Sequence, residues 1–323
     1  MHTTAGKVVI VGAGQVGSTF AFALQMQGIA REIVLIDADR DRAEGHALDL
    51  GHGNFFTPRV SIAAGDYRDC RNADLVVITA GASQKPGQSR LELVGQNVEI
   101  CRSIVASVMA HTRDAILLMV TNPVDVLTYA ALHFSGLPRH RVIGSGTVLD
   151  SARFRYLLSE HCRVDPQNVH AYVLGEHGDS EVVAWSLATL AGVRLDEYCS
   201  LCERDCAELD REALADQVRD SAYHVIEAKG STNFAVALAL AKIANAILRN
   251  GNSVLTVSRL LVGEYGIENV CLSMPTVVDR QGAARPVTPR LRERELAALR
   301  ASAETIREAQ RSVGLPERLG VLV

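Results

Sequence analysis

The sequence holds a candidate for each of three side-chain functions that together could bind a carboxylate-bearing substrate and move a proton on it. A guanidinium grips the substrate carboxylate through two parallel hydrogen bonds. An imidazole supplies the proton at neutral pH. A carboxylate fixes the tautomer of that imidazole and favours its charged form. His177 stands in LGEHGDS, directly after an apolar run and between glycines, as suits a loop that ends at a cleft. Asp150 and Arg153 stand in LDSAR, three positions apart. At that spacing they share one helix face, so one can reach the histidine and the other the substrate. The polar, glycine-bearing stretch AGASQKPGQSRL (80–91) ends in a helix and reads as a loop able to close over a ligand, with Arg90 near its end. Each residue also has an ordinary role open to it. His177 can be a surface loop residue, Asp150 a helix cap, and Arg153 and Arg90 solvated charges.

A second cluster bears on a cofactor. Gly12, Gly14 and Gly17 form G-x-G-x-x-G in KVVIVGAGQVGSTFAFAL (7–24), between a strand pattern and a helix pattern. The first glycine permits a tight turn, the second lets backbone approach a pyrophosphate, and the third lets helix pack on strand. The helix N-terminus then offers free N–H groups to phosphate. Asp37, about 20 positions further on and at the end of the next strand, is placed to bind ribose hydroxyls and repel a 2′-phosphate. NAD is favoured over NADP, although Arg40 and Arg42 nearby can weaken that preference. The alternative is a structural glycine turn with Asp37 capping the following helix. Residue types and spacing taken alone reach as far as an NAD-binding enzyme with a possible His–Asp pair.

The elements that must position these groups follow from periodicity. Strand patterns at Ile33–Ile36, Arg59–Ala63, Leu75–Ile78 and Ala115–Val120 alternate with helical patterns at Asp39–Leu50 and Leu91–Ala110. That alternation predicts a parallel sheet covered on both faces. The texture changes near Ser145. Beyond it come a helix at Thr147–Glu160, a strand at Val169–Val173, helices at Cys206–Ala228 and Phe234–Leu248, two antiparallel strands at Ser253–Val262 and Val270–Val278, and a closing helix at Pro289–Arg311. The expected architecture is α/β: a Rossmann-type doubly wound parallel sheet over residues 1–145, followed by an α+β substrate domain over 146–323. No linker rich in Pro, Gly or Ser separates the halves, so they should pack tightly.

The chain has 323 residues, enough for two domains. Lys plus Arg is 33 and Asp plus Glu 37, a net charge of −4 with no basic stripe, which argues against nucleic-acid or membrane partners. Seven irregularly spaced cysteines fit reduced thiols rather than a disulfide framework. With no signal peptide and no run long enough to span a bilayer, the expected location is cytoplasmic. Cys199, Cys202 and Cys206 are the exception to the plain pattern. They can be metal ligands, but on a helix they fall roughly along one face, where cysteine serves as a small hydrophobe, and no metal is expected. His46 and His52 read as packing or surface residues.

The motifs QKPGQSR, VTNPVD, GSGTVLDSARFR, LGEHGDSE and KGSTNFA, in this order along essentially the whole chain, resemble the lactate/malate dehydrogenase family. The resemblance implies reversible hydride transfer between NADH and a small 2-keto acid in fermentative glycolysis. It makes His177 the proton donor and acceptor, Asp150 its orienting partner, Arg153 the carboxylate binder and Arg90 the group that polarises the carbonyl. It places Asn122 between substrate and nicotinamide. It sets Val16, Asp37, Arg42, Tyr67, Gly81, Ala82, Ser103 and Ser145 along the cofactor site with the glycines. Gln84, where malate-type members resembling this chain carry Arg, faces a methyl group and disfavours a second carboxylate, with Thr232 on the opposite wall. The pocket therefore suits pyruvate and lactate, with malate, bulkier 2-hydroxy acids or a non-catalytic NAD-binding role as alternatives. Lys85 next to Gln84 would meet a carboxylate only if the loop slipped by one residue. The resemblance further implies a homotetramer of bacterial type, with a short N-terminus. It implies fructose 1,6-bisphosphate as effector, held between subunits by Arg155 and His170. Arg155 points about 200° around the helix from Arg153, so one arginine can face substrate and the other a neighbouring subunit.

Overall fold

The structure, a computed structural model, describes residues 6–82, 89–201 and 209–320. Its first half alternates strand and helix: β1 (Lys7–Val11), α1 (Gln15–Gln27), β2 (Glu32–Ile36), α2 (Arg40–His52), β3 (Ser61–Ala64), β4 (Leu75–Ile78), α3 (Arg90–Met109), β5 (Ile116–Met119), α4 (Val124–Ser135) and β6 (Val142–Gly144). The strands pair in parallel in the order β6-β5-β4-β1-β2-β3. The order reverses between β1 and β4, where a crevice opens at the carboxyl ends of the strands.

The short apolar runs form strands because both faces of the sheet are covered. Val9, Val11, Val76, Ile78, Leu117 and Met119 point into one buried cluster with residues of α3 and α4. Their alternates Val8, Ile10, Leu75, Val77, Ile116 and Leu118 point into a second cluster with α1. Each such side chain contributes ~1.5–3 kcal/mol on burial, so a one-residue slip in register would bring no gain on either face.

The second half contains α5 (Val148–Cys162), then the short strands β7 (Val169–His170), β8 (Val173–Leu174), β9 (Val182–Val183), β10 (Thr189–Leu190) and β11 (Val193–Arg194). After them come α6 (Leu195–Leu201), α7 (Arg211–Lys229), α8 (Phe234–Leu248), β12 (Ser253–Val262), β13 (Glu268–Asp279), β14 (Gly282–Pro286) and α9 (Glu293–Ser312). The strand expected at Val169–Val173 is two strands, because β7 pairs with β10 while β8 pairs with β9. The closing helix begins at Glu293 rather than Pro289. The helix expected from Cys206 begins at Arg211, where the Asp210 side chain accepts from Glu212 N at 3.1 Å and Ala213 N at 3.0 Å.

The two C-terminal strand runs are antiparallel, as expected, but they do not stand apart from the first sheet. β12 bridges to β6 through Ser258 and Gly144, and β13 and β14 extend the same nine-stranded sheet. Helix α8 likewise lies along α1 and buries Leu240, Ala244 and Ile247 in the same cluster as β1. The tight packing of the halves is thus a shared sheet and a shared core. No helix among the described residues is long and apolar enough to cross a membrane.

Candidate active site

The glycine turn follows β1. Gly12 has φ +108°, and a Cβ there would stand 2.6 Å from Ala80 N, so this backbone admits no side chain. A Cβ on Gly17 would fall on the Gly12 carbonyl oxygen, which is how α1 packs closely against the turn. A Cβ on Gly14 would meet nothing within 4 Å: the second glycine faces open space at the start of α1. That is the room a pyrophosphate needs beside the free N–H groups of the helix N-terminus.

Asp37 at the end of β2 accepts from Ala13 N at 2.6 Å and from Asp39 N at 2.9 Å, tying the acidic residue to the turn itself. It does not cap α2, because Asp39 fills that place by accepting from Arg42 N at 3.1 Å. Arg42 Nη2 pairs with Asp39 at 3.0 Å and its Nη1 stands 4.0 Å from Asp37, while Arg40 pairs with Glu44 at 2.8 Å. Both arginines are therefore engaged by acids. A cleft of about 610 Å³ is lined by Gly12, Gly14, Asp37, Arg42, Tyr67, Gly81, Ala82 and Ser103 among others. Gly17 and the partly buried Val16 are not part of that lining: Gly17 packs against the Gly12 carbonyl, and Val16 against the buried cluster of β1 and α1. Ser145 and Asn122 stand beyond the ends of β6 and β5, with Ser145 N donating to Met119 O at 2.8 Å. The open glycine turn, the helix N-terminus and the acid at its rim fit NAD.

Asp150 lies in the first turn of α5 and is 2% exposed. Both its oxygens are taken by side chains: Arg153 Nη1 donates to Oδ1 at 2.6 Å, and His177 Nδ1 meets Oδ2 at 2.6 Å. The helix-cap alternative is thereby overturned. The spacing of three does more than share a face, since one buried carboxylate holds both cationic groups.

The His177 loop is itself pinned from three sides. Gly175 exchanges backbone hydrogen bonds with Ser273 on β13, Glu176 N donates to Ser302 on α9 at 2.8 Å, and His177 N donates to Asp125 on α4 at 2.8 Å. α5 is anchored to the same strands, with Thr147 N donating to Ser273 Oγ at 3.1 Å and to Thr256 O at 3.1 Å. Histidine and carboxylate therefore meet on a rigid frame.

Burial works against a charged His177, but the ionised Asp150 beside it, with Asp125 and Glu181 around it, carries its pKa up to about 9. Burial also works against an ionised Asp150, yet His177 and Arg153 hold it below its ordinary value. The pair is an imidazolium on a carboxylate at neutral pH, able to give a proton from Nε2 and recover it. Arg153, held at one nitrogen, has the geometry for a second carboxylate at the others.

Three residues that sequence reasoning passed over belong here. Asp125, in the motif VTNPVD, is fully buried, accepts from Ser258 Oγ at 2.5 Å as well as from His177 N, and is pushed up to about 6 by burial. A lone acid in the apolar run VDVLTYAAL was the available signal. Asn97 on α3 accepts from Ala82 N at 2.8 Å and donates to Asn122 O at 3.1 Å, joining the cofactor rim to the substrate end. Glu181 is buried with Oε1 lacking a hydrogen bond, and burial followed by the charge of Asp150 raises it to about 8.

Thr232 is half-buried between α7 and α8. Gln84 and Lys85, the side chain of Arg90, and Cys202 and Cys206 lie outside the described residues. Cys199 on α6 packs partly buried against a cluster that includes Phe154.

Arg155 points away from Arg153. Its Nε donates to Ala171 O at 3.0 Å and its guanidinium stands over the Tyr172 ring at 5.2 Å. Arg155 and the exposed His170 line one cavity of about 600 Å³, to which α8 adds Lys242, a basic residue the sequence had not suggested.

The lactate/malate dehydrogenase family matches twice, by its NAD binding domain over residues 6–144 and by its alpha/beta C-terminal domain over residues 147–313. An L-lactate dehydrogenase of Thermoanaerobacter sp. (strain X514) is 52% identical over 301 residues, 93% of this chain and 97% of the relative. One from Treponema denticola is 52% identical over 305 residues, 94% of this chain and 96% of the relative. Among solved structures, the minor L-lactate dehydrogenase of Enterococcus mundtii superposes with a TM-score of 0.93 at 42% identity, over 97% of this chain and all of that one.

Proposed function

The chain belongs to the lactate/malate dehydrogenase family, and from that premise we propose that it is an NAD-dependent L-lactate dehydrogenase interconverting pyruvate and (S)-lactate. The observation that carries this is the chain Arg153–Asp150–His177, centred on the buried Asp150 carboxylate and closed by two contacts of 2.6 Å. The cleft lined by Gly12, Gly14 and Asp37 would hold NADH, which when bound would supply the hydride. Arg153 binds the pyruvate carboxylate and so fixes the keto carbon. His177 donates its proton from Nε2 to the carbonyl oxygen, and Asp150 holds the ring in the required tautomer and stabilises its charged form. Arg90 polarises the carbonyl and Asn122 orients it from the nicotinamide side. Gln84 and Thr232 bound the methyl pocket, where a second carboxylate would be left buried and unpaired.

Fructose 1,6-bisphosphate acts as effector at Arg155 and His170. The reading is supported by the cavity they share with Lys242, where anionic phosphates would meet the charges of Arg155 and Lys242 beside the His170 ring. The active form is a cytoplasmic homotetramer. The exposed side chains of Phe22 and Met26 on α1, Leu48 on α2, and Phe55 and Phe56 after it support this, as apolar groups that a neighbouring subunit could cover.

The test is NADH oxidation with pyruvate and with oxaloacetate, each with and without fructose 1,6-bisphosphate. Preference for pyruvate, enhanced by the bisphosphate and insensitive to it in Arg155→Gln, is the expected result. Preference for oxaloacetate overturns the role given to Gln84. No response to the bisphosphate in either activity or assembly overturns the effector site.

A further inference from the structure

Thr232 sits in a short loop between two helices, and what fixes its position lies in the other half of the chain. Its neighbours on both sides are held by α1. The Ser231 hydroxyl donates to Gln15 Oε1, and Asn233 Nδ2 donates to Thr19 Oγ1 at 3.0 Å. Thr19 Oγ1 in turn donates to the Gln15 carbonyl at 2.6 Å, which ties the two anchors together. On the loop side, Lys229 Nζ donates to Asn233 Oδ1, linking the end of α7 to the same point. Gln15 and Thr19 occupy the first two turns of α1, the turns that rise directly from Gly14 and the open space at the cofactor cleft.

A ligand that engages the glycine turn fixes the first turn of α1. Through Gln15 and Thr19 it then fixes residues 231 and 233, and hence the pocket wall between them. We propose that Gln15 and Thr19 are positioning residues that couple dinucleotide binding to the placement of Thr232, and so to discrimination of the substrate side chain. This rests on the dehydrogenase reading above and on Thr232 as a wall of the methyl pocket. The coupling is reciprocal: a pyruvate-like ligand against Thr232 tightens NADH binding by the same factor by which NADH tightens that ligand. Partly exposed hydrogen bonds contribute modestly, so removing one should cost that factor about 3–10-fold rather than abolish it.

The experiment uses the full-length enzyme with Thr19→Val and Ser231→Ala, singly and together, and Ser231→Thr as the variant that keeps the hydroxyl. Two readouts are taken: NADH affinity with and without oxamate, an unreactive isostere of pyruvate, and kcat/KM for pyruvate against 2-oxobutyrate, one methylene longer. The expected result is NADH affinity without oxamate within about twofold of wild type. The tightening by oxamate should fall about 3–10-fold, the preference for pyruvate over 2-oxobutyrate should shrink, and Ser231→Thr should restore both. Unchanged coupling and unchanged preference overturn the proposal. So does an equal loss on both substrates together with weaker NADH binding, which is general loosening rather than coupling. A wild-type enzyme inert to pyruvate defeats the dehydrogenase reading instead, whereas an active wild type with unaffected variants defeats only the coupling.

Discussion

Replacing Asp150 by asparagine keeps the shape of the side chain and removes its charge, and the consequence can be worked through from the geometry. In the native enzyme His177 rests on the Asp150 carboxylate at 2.6 Å and its pKa is carried to about 9 from an ordinary 6.5. That difference corresponds to ~3 kcal/mol favouring the imidazolium. If Asp150→Asn returned His177 to its ordinary value, the protonated fraction at pH 8 would fall from ~90% to ~3%, about 30-fold, from protonation alone. The sign is definite. A raised pKa keeps the proton donor loaded until pH climbs through about 9, so kcat/KM for pyruvate reduction should be flat to near pH 8 in wild type. In the variant it should decline from near pH 6.5. At about pH 5.5 both enzymes hold the proton, and the deficit remaining there measures lost orientation of the ring. The assay is the pH profile of kcat/KM for pyruvate, followed by NADH absorbance. A variant whose profile bends at the same pH as wild type would refute the claim that this carboxylate sets the proton affinity of His177, whatever the size of its rate loss.

Asp37→Ala should weaken NADH binding about tenfold or more, because the acid at the rim is lost and Ala13 N and Asp39 N lose their 2.6 and 2.9 Å acceptor; NADH fluorescence titration showing equal affinity would contradict this. Asp125→Ala strands the Ser258 hydroxyl and the His177 N–H in the core. It should cost ~2–4 kcal/mol in urea unfolding, with Asp125→Asn milder; a midpoint within error of wild type would count against a structural role. Glu181 keeps a proton in the folded state up to about 8, whereas the unfolded chain releases it near 4.5. The folded state thus binds more protons in that window, and stability falls as pH rises through it. Glu181→Gln should flatten the fall in urea midpoint between pH 6 and pH 8 without abolishing it, since the raised values of Asp125 and His177 act in the same direction.

The exact outline of elements was less legible than their order. The strand run Val169–Val173 reads as one unit in sequence because nothing local reveals that β7 and β8 pair with different strands. The antiparallel strands β12 and β13 were legible as a pair. Their junction to the first-half sheet, through Ser258 and Gly144, was not, because one bridge leaves no periodic mark.

The glycine turn, the acid following β2 and the alternation of strands with helices were determined by sequence, since each depends on contacts within about 30 residues and on backbone sterics that only glycine satisfies. That Asp150 holds two cations was not. The sequence paired it with His177 and left Arg153 to the substrate, whereas the fold gives Asp150 both, because the His177 loop, 27 residues away, is brought to the first turn of α5 by Ser273, Ser302 and Asp125. Asp125 is 52 positions from the backbone it supports, and Gln15 is 216 from Ser231. A buried carboxylate finds its partners where packing has already closed the space and excluded water. That depends on which elements lie together in three dimensions, and no local pattern of residues carries it.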